Sequence, residues 1–190
     1  MKRILDTGAS ITSTCMNELH DYPEFPAAGR VHALGFLPSI GVDVEVQVPA
    51  DMWRETQTAL RAARQEAMAK LAAKGEKAAK IPVLSRDALA WATLGGARAL
   101  MLEKRIGSLT PGKKADLILL RATDLNLYPV HEPAYAIEQA HAGNVDTVMI
   151  NGRIAKRGGR LLFEQALLRR KQEALAESAA RLLREAGYAG

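Results

Sequence analysis

The sequence is short of cysteine, of long apolar runs, of aromatics and of paired histidines. Its one cysteine, Cys15, excludes an internal disulfide framework and suits a reducing, cytoplasmic setting. No apolar stretch approaches the ~20 residues of a membrane-spanning helix, and none reads as a signal peptide, so no membrane is expected. Aromatics make up 5% of the residues, and the basic residues are spread along helical segments. With no dense basic patch interleaved with aromatics, a net charge of +5 makes no case for nucleic acid. Histidine occurs at His20, His32, His131 and His141, never as a His-x-His pair.

What is present is ordinary for a globular protein: 190 residues, 48% hydrophobic and 25% charged, enough for one domain or one domain and part of another. The stretch around which the chain is organised is Ser39-Ile40-Gly41-Val42-Asp43. The largely apolar run from Phe36 to Val42 reads as a buried strand ending on an aspartate, with a helix directly after it. Parallel α/β folds carry their chemistry at the carboxyl ends of such strands. Asp43 is therefore the candidate functional residue, although taken alone it reads sooner as a solvated or capping strand end. Upstream, Met1 to Gly8 resembles the last turn of an amphipathic helix closed by glycine, an ending that suggests an upstream part. Ala9 to Thr14 is small and β-branched, as strands are, and Cys15 to Pro26 reads as an irregular loop in which Glu18 and His20 face a site or solvent. A short helix over residues 27–34 would make this a βαβ unit with parallel strands.

Downstream, Asp51 is placed to cap a helix whose Trp53, Thr56, Leu60, Ala63, Ala67 and Leu71 form one buried stripe, with Glu55 in the first turn. Residues 74–80 are polar and surface-exposed. Ser85 is expected to cap a further helix over residues 86–102. The Gly95-Gly96 pair inside that helix costs roughly 1 kcal/mol per glycine relative to alanine, so a close backbone approach should offset it. From Ile106 the pattern changes to a Pro-Gly turn, a strand over 115–120, a helical stretch over 132–141 and a strand over 145–150. An Asn151-Gly152 hairpin follows, then a return strand over 153–156, a Gly158-Gly159 turn and a long helix over 163–186. The expected division is an α/β part over residues 1–102 and a smaller β-rich part over residues 103–190.

Three motifs, in order, resemble the carboxyl-terminal portion of the amidohydrolase superfamily, closest to its cytosine deaminase, chlorohydrolase and S-adenosylhomocysteine deaminase group. They are Gly41-Val42-Asp43, the run from Ala92 to Leu100, and the turn and strand from Gly107 to Leu117 with Val145 to Gly152. The resemblance implies the last strands and helices of a TIM barrel, strands seven and eight, with part of the accompanying β-sandwich. It implies a metal-dependent hydrolase of non-peptide C–N bonds, deaminase-type, acting on a small heterocyclic amine. In such enzymes a divalent ion, here zinc, iron or manganese, lowers the pKa of a bound water from ~15.7 toward neutrality. Asp43 matches the aspartate that binds the metal and takes the proton, while Asn17 and Glu18 lie where the family meets substrate.

A barrel needs eight strands over ~250 residues, and a catalytic zinc usually has three protein ligands. Two barrel-type strands and no metal-ligand histidines imply a fragment that is inactive alone and binds no metal tightly. The alternatives are one half of a split hydrolase, completed by a complementing chain, and a non-catalytic interaction module. The uncovered faces of a cut barrel would favour a homo-oligomer.

Overall fold

The computed structural model describes residues 1–188. A single helical turn, α1 (Lys2–Leu5), buries Leu5 and leads into the first strand. β1 (Thr12–Ser13) runs parallel to β2 (Ser39–Ile40), with Thr12 opposite Ser39 and Ser13 opposite Ile40. The crossover between them contains α2 (Cys15–Asp21) and α3 (Ala27–Ala33). The βαβ unit expected from the sequence is therefore formed, with regular strands shorter than the apolar runs that contain them.

Three details differ from expectation. Residues 15–21 form a helix instead of a loop, because the amide groups that open it find carboxylates: Glu18 accepts from Thr14, and Glu55 accepts from Cys15 and Met16. A helix's first N–H groups need such partners, and Glu55 is 40 residues away from Cys15 in the chain. The helix after Asp43 does not follow at once: a turn in which Gln47 and Val48 donate to the Val44 carbonyl intervenes. Ser85 is the first residue of its helix and not its cap; Leu84 holds the cap position, and Asp87 accepts the Leu84 amide at 2.7 Å.

The long helix α4 (Met52–Ala72) is capped by Asp51, which accepts from the Trp53 and Arg54 amides. Its stripe is buried at Thr56, Leu60 and Ala63. Next come α5 (Ser85–Ala90), a π-helical turn over Trp91–Gly95 and α6 (Gly96–Ala99). The turn carries Gly95 against the backbone entering β2: a Cβ on Gly95 would lie 2.0 Å from the Pro38 carbonyl oxygen, while one on Gly96 would sit 3.8 Å from Ser39 Oγ. The close approach expected of the glycine pair belongs to Gly95. Beside it Trp91, 1% exposed, anchors a core with Leu60, Ala59, Ile40 and Cys15. Burial of each large apolar side chain there contributes about 1.5–3 kcal/mol.

The second part is a four-stranded antiparallel sheet in the order β3 (Leu117–Leu120), β4 (Val145–Ile150), β5 (Arg153–Arg157) and β6 (Arg160–Leu161). Asn151 at φ +49° and Gly152 at φ +78° make the tight turn between β4 and β5, which requires left-handed backbone at both positions. Between β3 and β4 lies α7 (Ala136–Gln139), which packs back on the first part. Its Ile137 enters the core beside Trp91. Arg64 of α4 donates to both Glu138 oxygens at 3.1 and 3.0 Å, Ser85 adds its hydroxyl to the same carboxylate, and Gln57 donates to the Ala140 carbonyl at 2.8 Å. The last helix, α8 (Gln165–Glu185), has no buried residue, and Leu175, Leu182 and Leu183 are each more than half exposed.

Candidate active site

Asp43 follows β2 at the carboxyl end of the parallel pair. Its φ of +59° is left-handed, a conformation aspartate adopts more readily than most residues. This bend leaves the carboxylate exposed on an open cleft of about 380 Å³, walled by Thr12, Thr14, Asn17, Glu18 and Arg30 among others. Asn17 Nδ2 donates to Asp43 Oδ2 at 2.7 Å. A carboxylate only accepts, so the amide's NH₂ end must face it, and Asn17 Oδ1 is left buried with no partner. The two residues singled out from sequence positions 17 and 43 are thus in direct contact.

Glu18 is also in the cleft wall but is heavily used inside the protein. One oxygen accepts from Ser13 Oγ at 2.6 Å and the Thr14 amide at 2.7 Å; the other accepts from the Ala27 amide at 2.9 Å. Three donors on a strand end and two helix starts make Glu18 the clip between β1, α2 and α3. His20, the other candidate of that segment, is exposed and paired with Asp21 at 2.7 Å, outside the cleft lining.

Behind the cleft, Glu55 is fully buried on α4. Burial pushes its carboxyl upward, and the amide donors of Met16 and Cys15 pull the other way. Burial likewise pushes the Cys15 thiol far up, with Ser13 opposing, which leaves it an inert core group. Sequence reasoning placed Glu55 in a helix's first turn and missed this role. The signal was a glutamate beside Thr56 and Leu60 on the apolar stripe, a position where a charge needs a partner.

The residues present do not make a metal centre. Among the described residues no three His, Cys, Asp or Glu side chains cluster to hold an ion. No histidine lines the Asp43 cleft: His32 stacks edge-on against Trp91 at 5.3 Å, and His141 Nδ1 accepts the Gly143 amide. One carboxylate is one ligand where a zinc site needs three or four.

A polar cleft at the carboxyl ends of parallel strands is the arrangement of an α/β enzyme. The sequence model described as the amidohydrolase family matches residues 5–155, and the chain belongs to that family. It is 44% identical over 105 residues to a 5-methylthioadenosine/S-adenosylhomocysteine deaminase of Moorella thermoacetica, a match covering 55% of this chain and 22% of that protein. It is 37% identical over 97 residues to a 5'-deoxyadenosine deaminase of Methanobrevibacter smithii, covering 49% of this chain and 22% of that one. An adenosine deaminase from Xanthomonas campestris with bound zinc superimposes with a TM-score of 0.77 at 26% identity, over 92% of this chain and 38% of that chain. Zinc-bound atrazine chlorohydrolase from Arthrobacter aurescens does so with a TM-score of 0.73 at 21% identity, over 90% and 36%, a likeness of fold. The chain spans about a fifth of the length of these curated relatives.

Proposed function

We propose that this chain is the carboxyl-terminal portion of a metal-dependent deaminase, with residues 1–102 forming strands seven and eight of a TIM barrel and residues 103–190 part of a β-sandwich. One observation carries the reading: Asp43 presents an exposed carboxylate at the end of a parallel strand, held by Asn17 over a polar cleft. In the complete catalytic unit Asp43 supplies one ligand to a divalent ion, zinc as in the solved neighbours, with iron and manganese as the other candidates. Asp43 is also the base that takes up a proton, while Asn17 and Glu18 form the wall that meets the substrate. The substrate class is a small heterocyclic amine, in line with the adenine-bearing compounds in the relatives' names. The unit works in the cytoplasm. Alone, the chain neither turns over substrate nor holds the ion tightly.

The test is a graft. This chain replaces the matching segment of the Moorella thermoacetica deaminase, and ammonia release from 5-methylthioadenosine is followed. The expected result is an active chimera that loses about 10²–10⁴-fold in kcat on Asp43→Asn, the span of general acid–base catalysis. An active chimera indifferent to Asp43→Asn sinks the assignment of Asp43. A folded, zinc-loaded but inactive chimera favours a non-catalytic module.

A further inference from the structure

We propose that Glu55 is a positioning residue for Asp43, acting through α2 and Asn17; the proposal rests on the reading of Asp43 as the functional carboxylate. The connection is continuous. Glu55 accepts from the amides of Cys15 and Met16, the first two residues of α2. Asn17 is the next residue, and its side chain donates to Asp43 Oδ2. A single buried carboxylate on α4 thereby fixes the rotation of the first turn of α2, and with it the direction of the Asn17 amide. Asp43 Oδ2 is held and Oδ1 is left for the cleft.

Two costs indicate that this is more than helix capping. Glu55 is a charge-bearing group with no exposure, and its carboxyl is unfavourably buried. Asn17 is 8% exposed and keeps Oδ1 unpartnered, an arrangement that loses free energy unless the other end of the amide is needed. A local cap from a Ser or Asp before α2 would close the helix without burying a glutamate. Thr14 occupies that position and makes no side-chain cap. The remote carboxylate instead ties α2 to α4, the long helix against which α2 packs.

The test uses the isotope-labelled 190-residue chain and amide exchange read by NMR, with no dependence on activity. In the wild type the Asn17 side-chain NH₂ exchanges slowly compared with that of exposed Asn151. Asp43→Ala should release it. Because coupling is reciprocal, Asp43→Ala should also speed exchange at the Cys15 and Met16 amides by about fivefold or more, the low end of usual site-to-site coupling. Glu55→Gln should release the Asn17 NH₂ to the same extent while Leu60 on α4 keeps its protection. Unchanged Cys15 and Met16 exchange in Asp43→Ala overturns the proposal, as does an Asn17 side chain still protected in a folded Glu55→Gln protein. Glu55 would then be a cap only. Asp43 is exposed, so its replacement leaves the core intact and decides the question even if Glu55→Gln fails to fold. Intact coupling with an inactive graft would remove the deaminase reading and leave only the structural link from Glu55 through Asn17 to Asp43.

Discussion

At the scale of single residues, the protein is most sensitive where backbone meets backbone. Gly95 touches the Pro38 carbonyl with no room for a methyl group, whereas Gly96 has ordinary van der Waals space. Gly95→Ala should destabilise by about 1–3 kcal/mol, the usual cost of overpacking. Gly96→Ala at a right-handed helical position should be neutral or stabilising by up to about 1 kcal/mol. Urea unfolding of the two variants gives the comparison, and equal losses would mean that helix propensity, not the contact with β2, governs the pair. The sequence pointed to this contact through two glycines inside a helical pattern, but it could not say which of them met the neighbour, because that depends on the π-helical turn over Trp91–Gly95. The position of Asp43 beyond the carboxyl end of a parallel strand was likewise legible from the apolar run before it. Glu55 was not, since its partners are 39 and 40 residues away and only the folded chain brings them together.

At the scale of elements, α4 is the piece against which most others are set. It packs against α2, α3, α5 and α7, and its Arg64 grips Glu138. The Arg64 guanidinium, followed by the Ser85 hydroxyl, holds the Glu138 carboxyl below its ordinary range. A lowered folded-state pKa gives stability that is present above the unfolded value of ~4.3 and lost as pH falls through the folded value. Thermal unfolding of the wild type should therefore drop more steeply with pH below about 5 than that of Glu138→Gln. Parallel curves would assign the acid sensitivity to other carboxylates. This joint was invisible in the sequence, where nothing local ties Arg64 to a carboxylate 74 residues away. The helices and strands themselves were largely readable, because α4, the β4–β5 turn and α8 each carry local signals of stripe, Asn-Gly or periodic leucine. The loop expected at 15–26 failed over residues 15–21 for the opposite reason: the acceptors that its opening amides need come from Glu55 and the local Glu18, not from a standard cap.

At the scale of the whole molecule, apolar groups stand uncovered on several faces. Val46 and Met101 are 88% and 87% exposed, and on α8 Leu175 is 71% exposed. Surfaces of this kind drive association, so the purified chain should self-associate, with an apparent mass by light scattering that rises with concentration. Ending the chain at Glu164 should reduce that tendency and leave the unfolding midpoint of the remainder unchanged, since α8 contributes no buried residue. A monodisperse monomer at all concentrations would argue that these faces need no cover and would weaken the reading of the chain as a portion of a larger barrel.

The fork between Arg64 and Glu138 has a further consequence. It spans the exposed, lysine-rich stretch at residues 74–80, and the Gln57 contact and the packing of Ile137 reinforce it. The peptide bonds in that stretch carry none of these interactions. Covalent continuity there is a convenience of synthesis: a molecule severed at the loop would keep its two pieces in register through the same core and the same ion pair, and would behave in solution as one body.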